Sequence, residues 1–153
     1  MPELFEVFDR LKATSREYRV IADAVDQRME EVAAGRGPAP PGTSLQDYAS
    51  ARARLEDTYI VRLWAEFETA LRSYRRSRPG KQNDQIRTRD LIDWAEGVSE
   101  GRKIADGVKA LVHQVRDYRN GLVHDREATA PAVPIEEARH RLTTFLARLP
   151  ARW

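Results

Sequence analysis

Apolar residues return at every third or fourth position along most of this chain, and that spacing constrains the fold more than any other feature. Leu4, Phe8, Leu11, Tyr18, Ala22, Val25, Met29 and Val32 mark one face of a helix, about eight turns long. Loop 34–44 stops it, because the run Gly35-Arg36-Gly37-Pro38-Ala39-Pro40-Pro41-Gly42 suits neither helix nor strand. Thr43 or Ser44 can cap a second helix. That helix is predicted from Leu45 to Ser77, with Leu45, Tyr48, Leu55, Tyr59, Leu63, Phe67, Ala70, Leu71 and Tyr74 as its stripe. Pro79-Gly80 ends it, and a basic loop, 78–88, follows. Thr88 can cap a third helix from Arg89 to about Ser99, carrying Leu91, Ile92, Trp94 and Val98. Gly101 interrupts. A fourth helix is predicted from about Arg102 to Val123, with Ile104, Val108, Leu111, Val112, Val115, Tyr118 and Leu122 on one face. After a loop over 128–134, Pro134 suits the first turn of a fifth helix, about 134–149, with Ile135, Ala138, Leu142, Phe145, Leu146 and Leu149.

No alternating pattern competes with these periods. Two long helices and three shorter ones, each with one apolar stripe, predict an all-α, antiparallel up-and-down bundle forming a single domain over 1–153. The first two stripes come close to a 3.5-residue repeat, so a long hairpin with coiled-coil-like packing is expected. The chain has no cysteine, which excludes disulfides, thiolate metal sites and cysteine nucleophiles. No stretch approaches the 18 or so apolar residues of a membrane span. The opening MPELFEVFDRLK mixes acids and bases and lacks an apolar core, unlike a signal peptide. The expectation is a cytoplasmic protein with no membrane partner.

The net charge of +2 is small, and its distribution says more. The first 33 residues hold five bases and eight acids, whereas 72–89 hold seven bases and one acid, Asp84. Arg72, Arg75, Arg76, Arg78 and Lys81 cluster at one helix end and its loop. Such a cluster can attract a phosphate backbone. It can equally be a solvated helix C-terminus, where Arg complements the helix dipole.

The densest polar pattern is His113-Gln114-Val115-Arg116-Asp117-Tyr118-Arg119-Asn120-Gly121-Leu122-Val123-His124-Asp125. At about 100° per residue, His113, Arg116, Asp117, Asn120 and His124 share an arc of roughly 100°. Arg119 falls at the border of the apolar face. An exposed helix face is polar by default, but this one holds two of the chain's three histidines. Arg can grip a phosphate in bidentate fashion. His can move a proton near neutral pH, and Asn can orient either. Gly121 costs about 0.8–1 kcal/mol relative to Ala in a helix interior, which invites a close approach or a helix end.

Arg119-Asn120-Gly121-Leu122-Val123-His124 resembles the R-N-x-x-x-H form of the R-x4-6-H motif of HEPN domains, with Val115-Arg116-Asp117-Tyr118 and Asp125 as similar flanks. Tyr59 to Glu68 is more loosely similar to an earlier helix of that family. The resemblance implies a small all-α bundle and, most commonly, a metal-independent endoribonuclease of a prokaryotic defence or toxin–antitoxin type system. It implies a composite site where the motif helices of a homodimer meet. RNA is the implied substrate, an antitoxin or regulatory protein a further partner, and no cofactor is required. Carried over, Arg119 would hold the scissile phosphate, His124 would transfer a proton, and Asn120 would orient them, with His113, Arg116 and Asp117 supporting. Arg72, Arg75, Arg76, Arg78 and Lys81 would become an RNA track. In one variant of the family a modifiable Tyr follows two places after the His; here Arg126 stands there. A non-catalytic member binding RNA, nucleotide or a partner protein, or an interaction module of a larger assembly, are the alternatives.

Glu66 and Glu68 lie beside Phe67 and Leu63, and Glu68 is the preferred supporting carboxylate; either can instead face water or pair with Arg72. The i, i+4 pair His113 and Asp117 has metal-ligand spacing but no evident third ligand, so no metal is expected. Trp64 and Trp94 read as core or interface aromatics. Trp153 reads as exposed or at an interface, and His140 shows no partner.

Overall fold

The computed structural model describes residues 3–82, 85–95, 104–124 and 130–153. It is an all-α bundle of α1 (Leu4–Ala33), α2 (Leu45–Arg76), α3 (Thr88–Ala95), α4 (Asp106–His124) and α5 (Ile135–Leu146). The expected third helix beyond Ala95, and the expected start of the fourth at Arg102, lie outside the described residues. So do Val98, Gly101, Asp84, Asp125 and Arg126. No described helix is long and apolar enough to cross a membrane.

Ser44 caps α2 as its sequence signal predicts, whereas Thr88, expected as the cap of α3, is that helix's first residue, and Pro134, expected in the first turn of α5, stands just before it. Ser44 donates its backbone N–H to Asp47 Oδ2 at 2.7 Å, and its hydroxyl donates to the same oxygen at 2.8 Å. These donors hold the Asp47 carboxyl below its ordinary value. At the end of α1, Gly35 takes φ 69°. That left-handed residue lets Arg36 N–H reach Glu31 O at 2.9 Å and Gly35 N–H reach Val32 O at 3.1 Å, a helix stop that favours glycine.

α2 is the hub and packs against each of the other four helices. Tyr59, Ile60, Leu63, Trp64, Phe67, Ala70, Leu71 and Tyr74 are its buried row. α1 adds Leu4, Val7 and Leu11; α5 adds Ile135, Ala138, Leu142, Phe145 and Leu146. Phe67 meets Phe145 edge-on at 5.6 Å. The upper half of the α1–α2 hairpin is different. Past Ala22 on α1, and before Tyr59 on α2, neither helix has a buried residue. There the two helices are joined by Arg52 to Asp26 at 2.9 Å and by Arg52 stacked over Tyr18. Past Ala22 on α1 and before Leu55 on α2, the hairpin therefore extends as a two-helix arm.

Trp153 corrects its expectation: it is only 5% exposed, and its ring meets Tyr74 edge-on at 5.4 Å. The chain end is carried there by Leu4 N–H, which donates to Ala151 O at 3.0 Å, and by the Arg152–Glu3 ion pair. Trp64 is buried, as expected of a core aromatic.

Candidate active site

α4 turns Val108, Val112, Val115 and Leu122 toward the bundle, with Val112 and Val115 fully buried. Leu111, placed on the apolar face by periodicity, instead points outward at 38% exposure. The rest of the predicted face, Val108, Val112, Val115, Tyr118 and Leu122, packs inward as expected. Arg119, expected at the border of that face, stands one turn after Val115. Its side chain is half-buried; Nη1 donates to Asn120 Oδ1 at 3.1 Å, while Nε is buried with no hydrogen-bond acceptor. Arg119 and Asn120 are therefore brought together. His124, the last residue of α4, is exposed and makes no hydrogen bond or ion pair among the described residues. Five residues on a helix turn through about 500°, so within one chain the two side chains leave α4 about 140° apart. Gly121 lies inside α4, not at its end.

Tyr118 fixes this end of α4. Its hydroxyl donates to Asp57 Oδ1 on α2 at 2.6 Å. Burial, together with the Asp57 carboxylate, pushes its pKa upward. Next to Asp57, Glu56 Oε1 accepts the backbone N–H of Ile135 at 2.8 Å and so caps α5. Two adjacent acids of α2 thus tie the motif end of α4 and the start of α5 to one place. Periodicity gives no sign of this, because the partners lie 61 and 79 positions apart.

The supporting residues form a chain of contacts between α3 and α4. His113 Nε2 lies 2.9 Å from Asp93 Oδ1, and His113 Nδ1 lies 2.8 Å from Arg116 Nη1. Arg116 also donates to Asp117 Oδ1 from Nη2 at 2.6 Å. A guanidinium only donates, so Nδ1 accepts and the ring proton sits on Nε2, facing Asp93. Both ring nitrogens are then occupied. His113 has no nitrogen left to exchange a proton with a substrate, whereas the His124 ring is open. These residues, with Arg89, Ala110 and Gln114, line an open groove of about 580 Å³. Sequence reasoning missed Asp93 and Arg89 as groove residues; their helix comes against α4 only in the fold. Among the described residues no group of acids and histidines is arranged to hold a metal.

Glu68 is not beside the motif. Arg72 Nη2 donates to Glu68 Oε1 at 2.7 Å, Thr88 Oγ1 donates at 2.8 Å, and Trp64 Nε1 donates to Oε2 at 3.2 Å. Burial pushes this carboxyl up, but the donors outweigh it and hold its pKa below the ordinary value. Eleven residues separate Glu68 from Asp57, about 16 Å along α2. Its role is to pin the loop before α3. Glu66 pairs with Arg10 at 3.0 Å.

The basic segment is corrected in the same way. Arg75 is 6% exposed and stacks over Trp94, 4.6 Å from the ring centre. Arg78 covers Tyr74 and donates to its hydroxyl at 2.7 Å. Arg72 is held by Glu68 and Ile86 O. Lys81 is half-buried, which leaves Arg76 as the one exposed residue of the five. Of the five, only Arg75 is packed away; Arg72, Arg78 and Lys81 are half-buried. His140 is exposed.

No family model, curated protein or solved structure matches the chain.

Proposed function

We propose that this chain is a metal-independent endoribonuclease of the HEPN type, with a composite site formed where the α4 ends of two copies meet. One observation carries the reading: at one end of α4 the Arg119 guanidinium, held by Asn120 Oδ1 at 3.1 Å, stands with His124, whose exposed ring makes no hydrogen bond or ion pair among the described residues. Asn120 holds the guanidinium, and His124 offers an unoccupied imidazole at the same helix end. Because the two side chains diverge, a single chain does not supply both to one phosphate. A second copy would.

In this reaction the RNA 2′-oxygen attacks the adjacent phosphorus, and the 5′-oxygen leaves with a proton. The product is a 2′,3′-cyclic phosphate. Arg119 would neutralise charge building on the phosphoryl oxygens, and His124 would take or give the proton. A defence or toxin–antitoxin setting, a cytoplasmic location and a neutralising protein partner belong to the same proposal.

The test is cleavage of single-stranded RNA in the presence of a chelator. The parent chain should yield 2′,3′-cyclic ends, and Arg119→Ala or His124→Ala should lower the rate at least a hundredfold with unchanged helicity by circular dichroism. RNA left intact by the parent at all protein concentrations would overturn the reading. A non-catalytic RNA-binding member is the second reading, favoured by the divergence of Arg119 and His124 within one chain. Retained RNA affinity without cleavage would establish it.

A further inference from the structure

On the far side of α5 from α4, four cations face one cleft. Lys12, Arg16 and Arg19 from α1 and Arg139 from α5 line a cavity of about 270 Å³. Spacings of four and three residues place the α1 members in one row along the helix. A single carboxylate, Glu136, serves the group: Arg19 reaches it at 3.2 Å and Arg139 at 3.0 Å. Ser15, buried beneath, donates its hydroxyl to Glu136 Oε1 at 2.6 Å, and with Arg139 this holds the carboxyl below its ordinary value. Lys12 and Arg16 are exposed and have no ion pair among the described residues. Asp9 and Asp23 lie one turn beyond the row at either end and pair with none of the four. Like charges gathered at this density repel one another, so the cleft favours an anion that is not part of the chain.

The shape selects the anion. From Lys12 to Arg19 the row runs seven residues, about 10 Å. That exceeds one phosphate ion and fits successive phosphates of a strand. Arginine forks match phosphate oxygens in pairs, and lysine adds a point charge. We infer that the α1–α5 cleft binds the backbone of single-stranded RNA and is the chain's main RNA-holding surface, in place of segment 72–89. The phosphate chemistry rests on the four cations; the choice of RNA rests on the function proposed above.

The test measures binding to a 2′-O-methyl RNA of about twelve nucleotides, which the proposed chemistry does not cleave. Fluorescence anisotropy is read for the parent, for Lys12→Gln/Arg16→Gln, and for Arg76→Gln/Arg87→Gln in the basic segment. The substituted side chains are all exposed, so folding is retained and is checked by circular dichroism. The expected result is at least a tenfold loss for K12Q/R16Q and less than a twofold change for R76Q/R87Q. The slope of log affinity against log salt should also become shallower by about 1.4, at 0.7 per lost phosphate contact. Parent-like affinity in K12Q/R16Q overturns the inference, as does a larger loss in R76Q/R87Q or no RNA binding by the parent. Two competitors complete the test. Pyrophosphate that displaces RNA only at much higher concentration supports a strand site; pyrophosphate that binds where RNA does not would overturn it. A polyglutamate that competes as well as RNA would also overturn it. RNA cleavage by a parent whose affinity ignores Lys12 and Arg16 leaves the ribonuclease reading standing and this one lost. Lys12- and Arg16-dependent binding without cleavage does the reverse.

Discussion

At the scale of single residues, the structure separates side chains held by partners from side chains left open. Tyr118 belongs to the scaffold, yet it sets where Arg119 and Asn120 stand. Its hydroxyl bonds an ionised partner, and such bonds contribute more than neutral ones. Tyr118→Phe should lower stability by about 1–2 kcal/mol in urea unfolding. Adding Asp57→Asn should give a total well short of the sum, since both remove one contact. Glu68 gives a pH signature. Its folded pKa lies below the ordinary value, so its contribution is fully present above the ordinary value and is lost as pH falls through the folded one. Melting temperature should therefore drop as pH falls below about 4.3. Glu68→Gln should melt lower at neutral pH and show a shallower acid decline by thermal scanning; an unchanged acid limb would remove Glu68 from that role. That Arg119, Asn120 and His124 share one helix was legible from their short spacings, and so was the Arg72–Glu68 pair, four residues apart. The role of Arg75 was not. A count of charges does not distinguish a cation in water from one lying on Trp94. The α1 row was hidden for a related reason: α1 carries more acids than bases, and the fourth cation, Arg139, arrives from the other end of the chain.

At the scale of elements, the bundle divides into a base and a two-helix arm. Helix ends were readable because Gly35 to Gly42 and Pro79-Gly80 stop helices by local backbone chemistry alone. The inward face of α4 was readable except at Leu111. Val108, Leu111, Val112 and Val115 make a broad apolar arc, and only the helix packed against it decides whether 111 or 112 points in. The arm was likewise invisible to periodicity, because Val25, Met29 and Tyr48 keep the stripe without a third layer to bury them. Two helices alone bury little surface, so local opening there needs less free energy than opening the base. Backbone amides of residues 23–33 and 45–54 should exchange at least tenfold faster than those of 59–74 in native-state hydrogen exchange. Exchange should quicken further when Arg52→Gln removes the link to Asp26. Equal protection along the whole of α2 would mean that the arm is held by something other than its own two helices.

At the scale of the whole molecule, the proposed reaction would make the oligomer part of the chemistry, because Arg119 and His124 leave α4 about 140° apart. In a two-fold dimer the guanidinium of one copy can face the imidazole of the other, so each working pair is shared between chains. This gives a result that a site contained within one chain cannot produce. Arg119→Ala and His124→Ala homodimers should each be inactive. In a mixed dimer the Arg119→Ala copy still supplies His124, and the His124→Ala copy still supplies Arg119, so one of two cross-chain pairs survives. With random exchange half the dimers are mixed, and activity should return to about a quarter of the parent level. RNA cleavage after mixing and equilibrating the two inactive proteins measures it. No recovery, in a mixture shown by native mass spectrometry to contain the mixed dimer, would mean that Arg119 and His124 do not work across a subunit boundary. The same experiment bears on the α1–α5 cleft. It lies across α5 from α4, so Lys12→Gln/Arg16→Gln placed on either copy should lower recovered activity through RNA affinity, with the rate at saturating RNA unchanged.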